Sequence, residues 1–155
     1  MVDRNTIETY LLKTYKHINP INSWGERSYF INPEMKLKRG SYFATIKSKD
    51  GKNDRASYLN RLEVFRLNIG LTPEKYEAMF GMRPPRPSKG EVIEGNFDFQ
   101  ALNIFMPHPV YGWLGWIAIN NPDENNFEKS QEYLNIAYQK AWKTTMKKLK
   151  TIPSS

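Results

Sequence analysis

The sequence predicts an α+β fold: a small antiparallel sheet packed against an N-terminal helix, a short middle helix and a long C-terminal helix. Three observations carry this reading. Strand-like runs recur at short spacing in Arg27–Ile31, Ser41–Lys47 and Val64–Gly70. A capped helix start follows the third run at Thr72-Pro73-Glu74. A long amphipathic segment, about residues 124–150, then closes the chain over the sheet. At 155 residues, 39% of them hydrophobic, the chain has the length and the apolar content for a single domain over 1–155.

Each element has a local cause. Residues 5–16 place Ile7, Leu11 and Tyr15 near helical spacing, and Asn19-Pro20 is the expected stop, because a residue before proline avoids the α region. RSYFI at 27–31 and SYFATIK at 41–47 are aromatic and β-branched; the intervening NPEMKLKRG is a loop between antiparallel partners. Asp50-Gly51 signals a turn, and 52–62 is polar and aperiodic. In VFRLNIG at 64–70, Phe65, Leu67 and Ile69 share one face, while Arg66 and Asn68 share the other. The middle helix runs from its Thr72 cap through Tyr76 and Phe80 and closes at Gly81. The proline-rich MRPPRPSKGE reads as a surface loop. Residues 96–106 fit either a strand or a short helix, and 114–120 read as a strand. In the last helix Phe127, Leu134, Ala137, Tyr138, Ala141, Thr145 and Leu149 form one stripe, with Lys140, Lys143, Lys147 and Lys150 opposite.

Composition excludes several classes of function. The absence of cysteine removes disulfides, thiol nucleophiles and thiolate metal sites. His17 and His108 are the only histidines and have no metal-ligand spacing, so neither a metal nor a cofactor is expected. Neither a dinucleotide fingerprint nor a P-loop occurs, and Ser57 lacks the context of a hydrolase nucleophile. No apolar run approaches membrane-spanning length and the N-terminus carries no secretory signal, so a cytoplasmic protein without membrane contact is expected.

The formal net charge of +7 is unevenly spread. Residues 36–66 hold nine basic side chains against three acids, and residues 139–155 hold five lysines and no acid. Lys47, Lys49, Lys52 and Arg55, with Lys140, Lys143 and Lys147, are the candidate basic surface for weak nucleic-acid binding. Solubility is the ordinary alternative. Within the basic loop Asn53-Asp54-Arg55-Ala56-Ser57, Asp54 and Arg55 can pair, or Arg55 can meet a phosphate.

The densest constellation is His108-Pro109-Val110-Tyr111-Gly112-Trp113-Leu114-Gly115-Trp116. A titratable ring, flat aromatic walls and two glycines suggest a ligand pocket of His108, Tyr111, Trp113 and Trp116, with Arg66 and Asn68 facing it. Core aromatics beside a strand start are the plainer account. A non-enzymatic module binding a ligand or nucleic acid is the favoured function. The alternative is a small-molecule enzyme with His108 as acid/base and Arg66 as anion holder; a purely structural or interaction domain is the third.

The segments GSYFATIKSKDGKNDRAS, VFRLNIGLTPEKYEAMFG and MPHPVYGWLGWIAINNPDENNF resemble an uncharacterised bacterial family, domain of unknown function 6194, over roughly Trp24 to Met146. The element order more distantly resembles the MmcQ/YjbR-like class, whose double-wing architecture suggests DNA binding. That likeness implies a curved sheet closed by a long helix. It assigns no catalytic residue.

Overall fold

The computed structural model describes residues 1–152. Helix α1 (Arg4–Thr14) begins at Asp3, whose carboxylate accepts from the Thr6 amide. Strands β1 (Ile18–Ser23) and β2 (Glu26–Ile31) form a hairpin, and β3 (Ser41–Lys47) and β4 (Arg66–Ile69) extend it. Helix α2 (Pro73–Phe80) follows, then β5 (Met106–Pro107), β6 (Ile117–Asn120) and α3 (Glu124–Lys150). The six strands form one sheet, ordered β1-β2-β3-β4-β6-β5, and every pairing is antiparallel.

Strand pairing assigns the two faces. Tyr29, Ala44, Ile69 and Ile117 lie opposite one another in successive strands, as do Ile46, Leu67 and Ile119. These apolar rows meet Ile7 and Leu11 of α1 and Leu134, Ala137, Tyr138 and Ala141 of α3 in the main core. A bulge lets Phe43 join Ala44 on that side, where its ring meets Tyr15 and Tyr138 edge-on at 5.2 and 5.4 Å. The opposite face carries Glu26, Lys47, Arg66 and Asn120 in one row and Ser28, Thr45, Asn68 and Ala118 in the next.

The middle and last helices, β2 and β3 lie where the sequence places them. Three stretches differ. The first helix ends at Thr14, before the expected stop at Asn19-Pro20, and the chain turns at His17 (φ 66°) into β1. A proline is tolerated there because β1 is an edge strand, so the missing N–H leaves no ladder bond unmade. Of residues 96–106 only Met106 enters a strand. The Phe99 and Ala101 carbonyls bond instead to the Asn120 side chain at 3.0 Å each, so these groups are satisfied without a ladder. The last strand starts at Ile117, because Gly112–Leu114 form a 3₁₀ turn that ends at left-handed Gly115.

Candidate functional site

The second face of the sheet is polar but not wet. Arg66, Asn68 and Asn120 are fully buried, and Thr45 and Lys47 are nearly so. The 48–65 loop covers this face together with a small apolar cluster of Ile93, Phe99, Met106 and Ala118. The sequence alternation is correct for β4, but its polar side faces covering loops rather than solvent.

Arg66 is the hub. Its Nη1 and Nη2 meet the two carboxylate oxygens of Asp54, with Nη1 at 3.0 Å from Oδ1. Nη1 also donates to Ser57 Oγ at 3.0 Å, and Nε donates to Asn68 Oδ1 at 2.8 Å. Four of the five N–H groups of the guanidinium therefore have acceptors within the chain. Donors then run outward in one direction: Asn68 Nδ2 to Thr45 Oγ1 at 2.9 Å, and Thr45 Oγ1 to Glu26 Oε2 at 2.7 Å. Lys47 Nζ stands 3.8 Å from Glu26 Oε1. Two cations and two carboxylates thus offset each other under the covering loops, as buried charges must.

His108 is 2% exposed and joins this network. Its Nδ1 accepts from the Val110 and Tyr111 amides, both at 3.0 Å, which fixes a lone pair there and the proton on Nε2. Nε2 lies 3.3 Å from Arg66 Nη2 and 3.9 Å from Asp54 Oδ2. With the proton on Nε2, the approach of Arg66 is a contact between two donors, and the Asp54 carboxylate lies beyond hydrogen-bond reach. Burial, and next the Arg66 charge, hold His108 well below the usual imidazole range, so the ring is neutral. Burial works to raise Asp54, but the charge and hydrogen bonds of Arg66 outweigh it and hold the carboxyl below its usual range. One nitrogen of His108 caps a turn and the other faces an ion pair, so the ring has no free position for proton transfer. Arg66 likewise keeps no donor pair open to an anion.

The aromatic candidates part company. Tyr111 packs on His108 with ring centroids 5.0 Å apart and is half exposed. Trp113 turns to the proline-rich loop, where Arg86 lies over its ring at 5.0 Å and Arg83 reaches its carbonyl. Trp116 stands edge-on to His108 at 6.4 Å and leans on Tyr42 at 5.4 Å, where it lines a different cleft with Ser41, Lys140 and Lys148. Asp54 and Ser57 are the network members that the loop reading did not join to Arg66. Their signal was weak, since an acid beside an arginine in a polar loop suggests first a local pair with Arg55. Glu26 and Thr45 carried no signal, because their role depends on strand register.

The basic candidates also divide. Lys47 leaves the surface set: it is 5% exposed and faces Glu26. Lys49, Lys52 and Arg55 are exposed beyond the last residue of β3, with Lys49 against Gly25 at the β1–β2 turn. Lys140, Lys143 and Lys147 are exposed on α3, whose Lys148 Nζ donates to the Gly40 carbonyl just before β3 begins. The two groups sit at opposite ends of a seven-residue strand, about 20 Å apart at the usual rise. Through Lys148, the α3 group instead reaches the end of the β2–β3 loop, which carries the exposed Lys36, Lys38 and Arg39.

Fold and site together define an antiparallel α+β protein with a buried, charge-balanced network on one sheet face and a basic end where α3 meets the β2–β3 loop. Among the described residues no helix is long and apolar enough to cross a membrane. The chain belongs to the Family of unknown function (DUF6194), whose model matches residues 2–150. No curated protein and no solved structure matches it.

Proposed function

We propose that this chain is a non-enzymatic binding module for anionic ligands of the nucleic-acid kind, and that its basic end is the binding surface. The clustering of exposed cations there carries this reading. Lys140, Lys143, Lys147, Lys148 and Lys150 are exposed along the C-terminal part of α3, and the contact from Lys148 to Gly40 brings that helix to the loop that carries the exposed Lys36, Lys38 and Arg39. Glu34 is the sole acid between residues 32 and 40, and it is taken by Lys36 at 3.1 Å. The engagement of His108 and Arg66 with each other's neighbours argues against the enzymatic alternative. The closing of the sheet by a long last helix agrees with an MmcQ/YjbR-like kinship, and with the DNA-binding role suggested for that class.

Titration of labelled duplex and single-stranded DNA at low salt tests the reading. Dissociation constants of about 10⁻⁴ to 10⁻⁶ M are expected at physiological salt and tighter ones at low salt, with little sequence preference, and log K should fall linearly with log salt as counterions are released. Charge reversal at Lys143 and Lys147 should weaken binding and flatten that slope. Reversal at Lys49 and Lys52, on the far end, should change neither. Absence of binding tighter than about 0.1 mM at low salt removes the proposal.

A further inference from the structure

A cleft of about 250 Å³ lies where β3 begins and β4 ends, against the C-terminal half of α3. Its floor on the helix is made by two small residues, Ala137 and Ala141. Lys140, Thr144 and Lys148 follow at intervals of four along the helix, so they form one row. At 1.5 Å per residue the two lysines of that row stand about 12 Å apart along the axis. Each ammonium spends one of its three N–H groups on a carbonyl, Lys140 on Leu71 at 3.1 Å and Lys148 on Gly40 at 3.2 Å. Those bonds hold both cations at the rim with donors to spare.

The facing wall is aromatic. Trp116 lies flat over Gly70, where an added Cβ would come within 2.7 Å of the indole, and Tyr42 packs beside it. Both rings line the cleft, and both keep surface exposed. The third feature is Ser41. It lines the same cleft and is 9% exposed, and its hydroxyl is buried without a hydrogen-bond partner. A buried hydroxyl with no partner is rare in a folded chain and calls for a group that completes it.

We propose that this cleft binds a nucleotide, with the planar base against Trp116 and Tyr42, the phosphate at the Lys148 ammonium group, and the Ser41 hydroxyl hydrogen-bonded to the ligand. Aromatic faces accept any base, which makes such a site tolerant of sequence. Lysine serves phosphate as a compact charge. The proposal rests on the reading of the basic end as an anion-binding surface and adds to it a built pocket and a ligand unit. A free mononucleotide and one nucleotide of a strand offer the same chemistry.

Calorimetric titration of the full chain with AMP, adenosine and inorganic phosphate, and in parallel with a labelled single-stranded oligonucleotide, tests it. AMP is expected to bind more tightly than either of its halves. Ser41→Ala and Lys148→Gln should each weaken AMP by about five- to tenfold, the size of one ordinary hydrogen bond. Ser41→Ala should leave the melting temperature unchanged or raised, because it removes an unsatisfied hydroxyl. Displacement of the oligonucleotide by AMP would assign the cleft to a nucleotide of a strand; AMP binding without displacement would assign it to a free nucleotide. The proposal is overturned if AMP does not bind at about 10 mM, beyond the weak end of ordinary affinities, or if AMP binds equally to wild type and Ser41→Ala. Oligonucleotide binding that persists in that case leaves the basic-end reading standing without the pocket, whereas loss of all binding removes both.

Discussion

Asp54 meets Arg66 with both carboxylate oxygens across twelve residues of chain, and so fastens the covering loop to a fully buried position in the middle of the sheet. The bond joins the loop to the sheet and supplies the counter-charge that Arg66 needs in order to be buried.

Loss of that counter-charge is expected to be severe. Asp54→Asn keeps the shape but leaves a guanidinium buried with a neutral partner, and breaking a buried pair this way costs about 3–5 kcal/mol. Urea unfolding measures it. A loss below about 1 kcal/mol, the level of an exposed pair, would show that the network relaxes or admits water. Arg66→Met should cost less than Asp54→Asn, because Asp54 retains some contact with solvent.

His108 makes stability depend on pH. Its folded value lies well below that of a free imidazole, so below about pH 6.5 the unfolded chain binds a proton that the native chain refuses. Stability should therefore be full above that pH and should decline as pH falls, with a slope approaching about 1.4 kcal/mol per unit. Asp54 adds a separate loss at lower pH, since its depressed carboxyl must be protonated below its unfolded value near 3.8. Arg66, Asp54 and Lys47 are the charged groups that act on the ring. In His108→Asn the amide oxygen can still accept from the Val110 and Tyr111 amides, as in an Asx turn. The decline between about pH 6.5 and 5 should flatten in that variant. Unchanged slopes would assign the dependence to other groups.

Two glycines with the same backbone angle separate strain from crowding. Gly40 and Gly81 both have φ 85°, but a Cβ on Gly40 would lie 2.0 Å from the Ile31 carbonyl oxygen, whereas on Gly81 it meets nothing within 4 Å. Gly81→Ala should cost about 1–3 kcal/mol, the backbone penalty alone, because φ 85° with ψ −162° is a conformation essentially confined to glycine. Gly40→Ala should cost clearly more, because backbone must move, and it should disturb the carbonyl that Lys148 grips. Equal losses in thermal or urea unfolding would contradict the crowding at Gly40.

Local chemistry was enough to read much of this protein. Thr72, Pro73 and Gly81 bound α2 because capping and closure by a glycine at positive φ are decided within a turn. The stripe from Phe127 to Thr145 is buried because helical spacing alone sets which side chains share a face. Alternation in β4 likewise separated Leu67 and Ile69 from Arg66 and Asn68. What covers each face was not local. Arg66 is buried because a loop folds back to bring Asp54 and Ser57 to it, and Thr45 and Glu26 enter the network through cross-strand register. The His108–Trp116 run looked like one pocket because its residues are adjacent in sequence. A 3₁₀ turn and the opening of β6 send Trp113 to Arg86 and Trp116 to the α3 cleft, and leave His108 enclosed. The sequence by itself determined which residues share a helix or strand face, since periodicity and capping act over a few residues. Only the tertiary structure decided which faces meet water and which charges meet each other, because both depend on contacts between segments far apart in the chain.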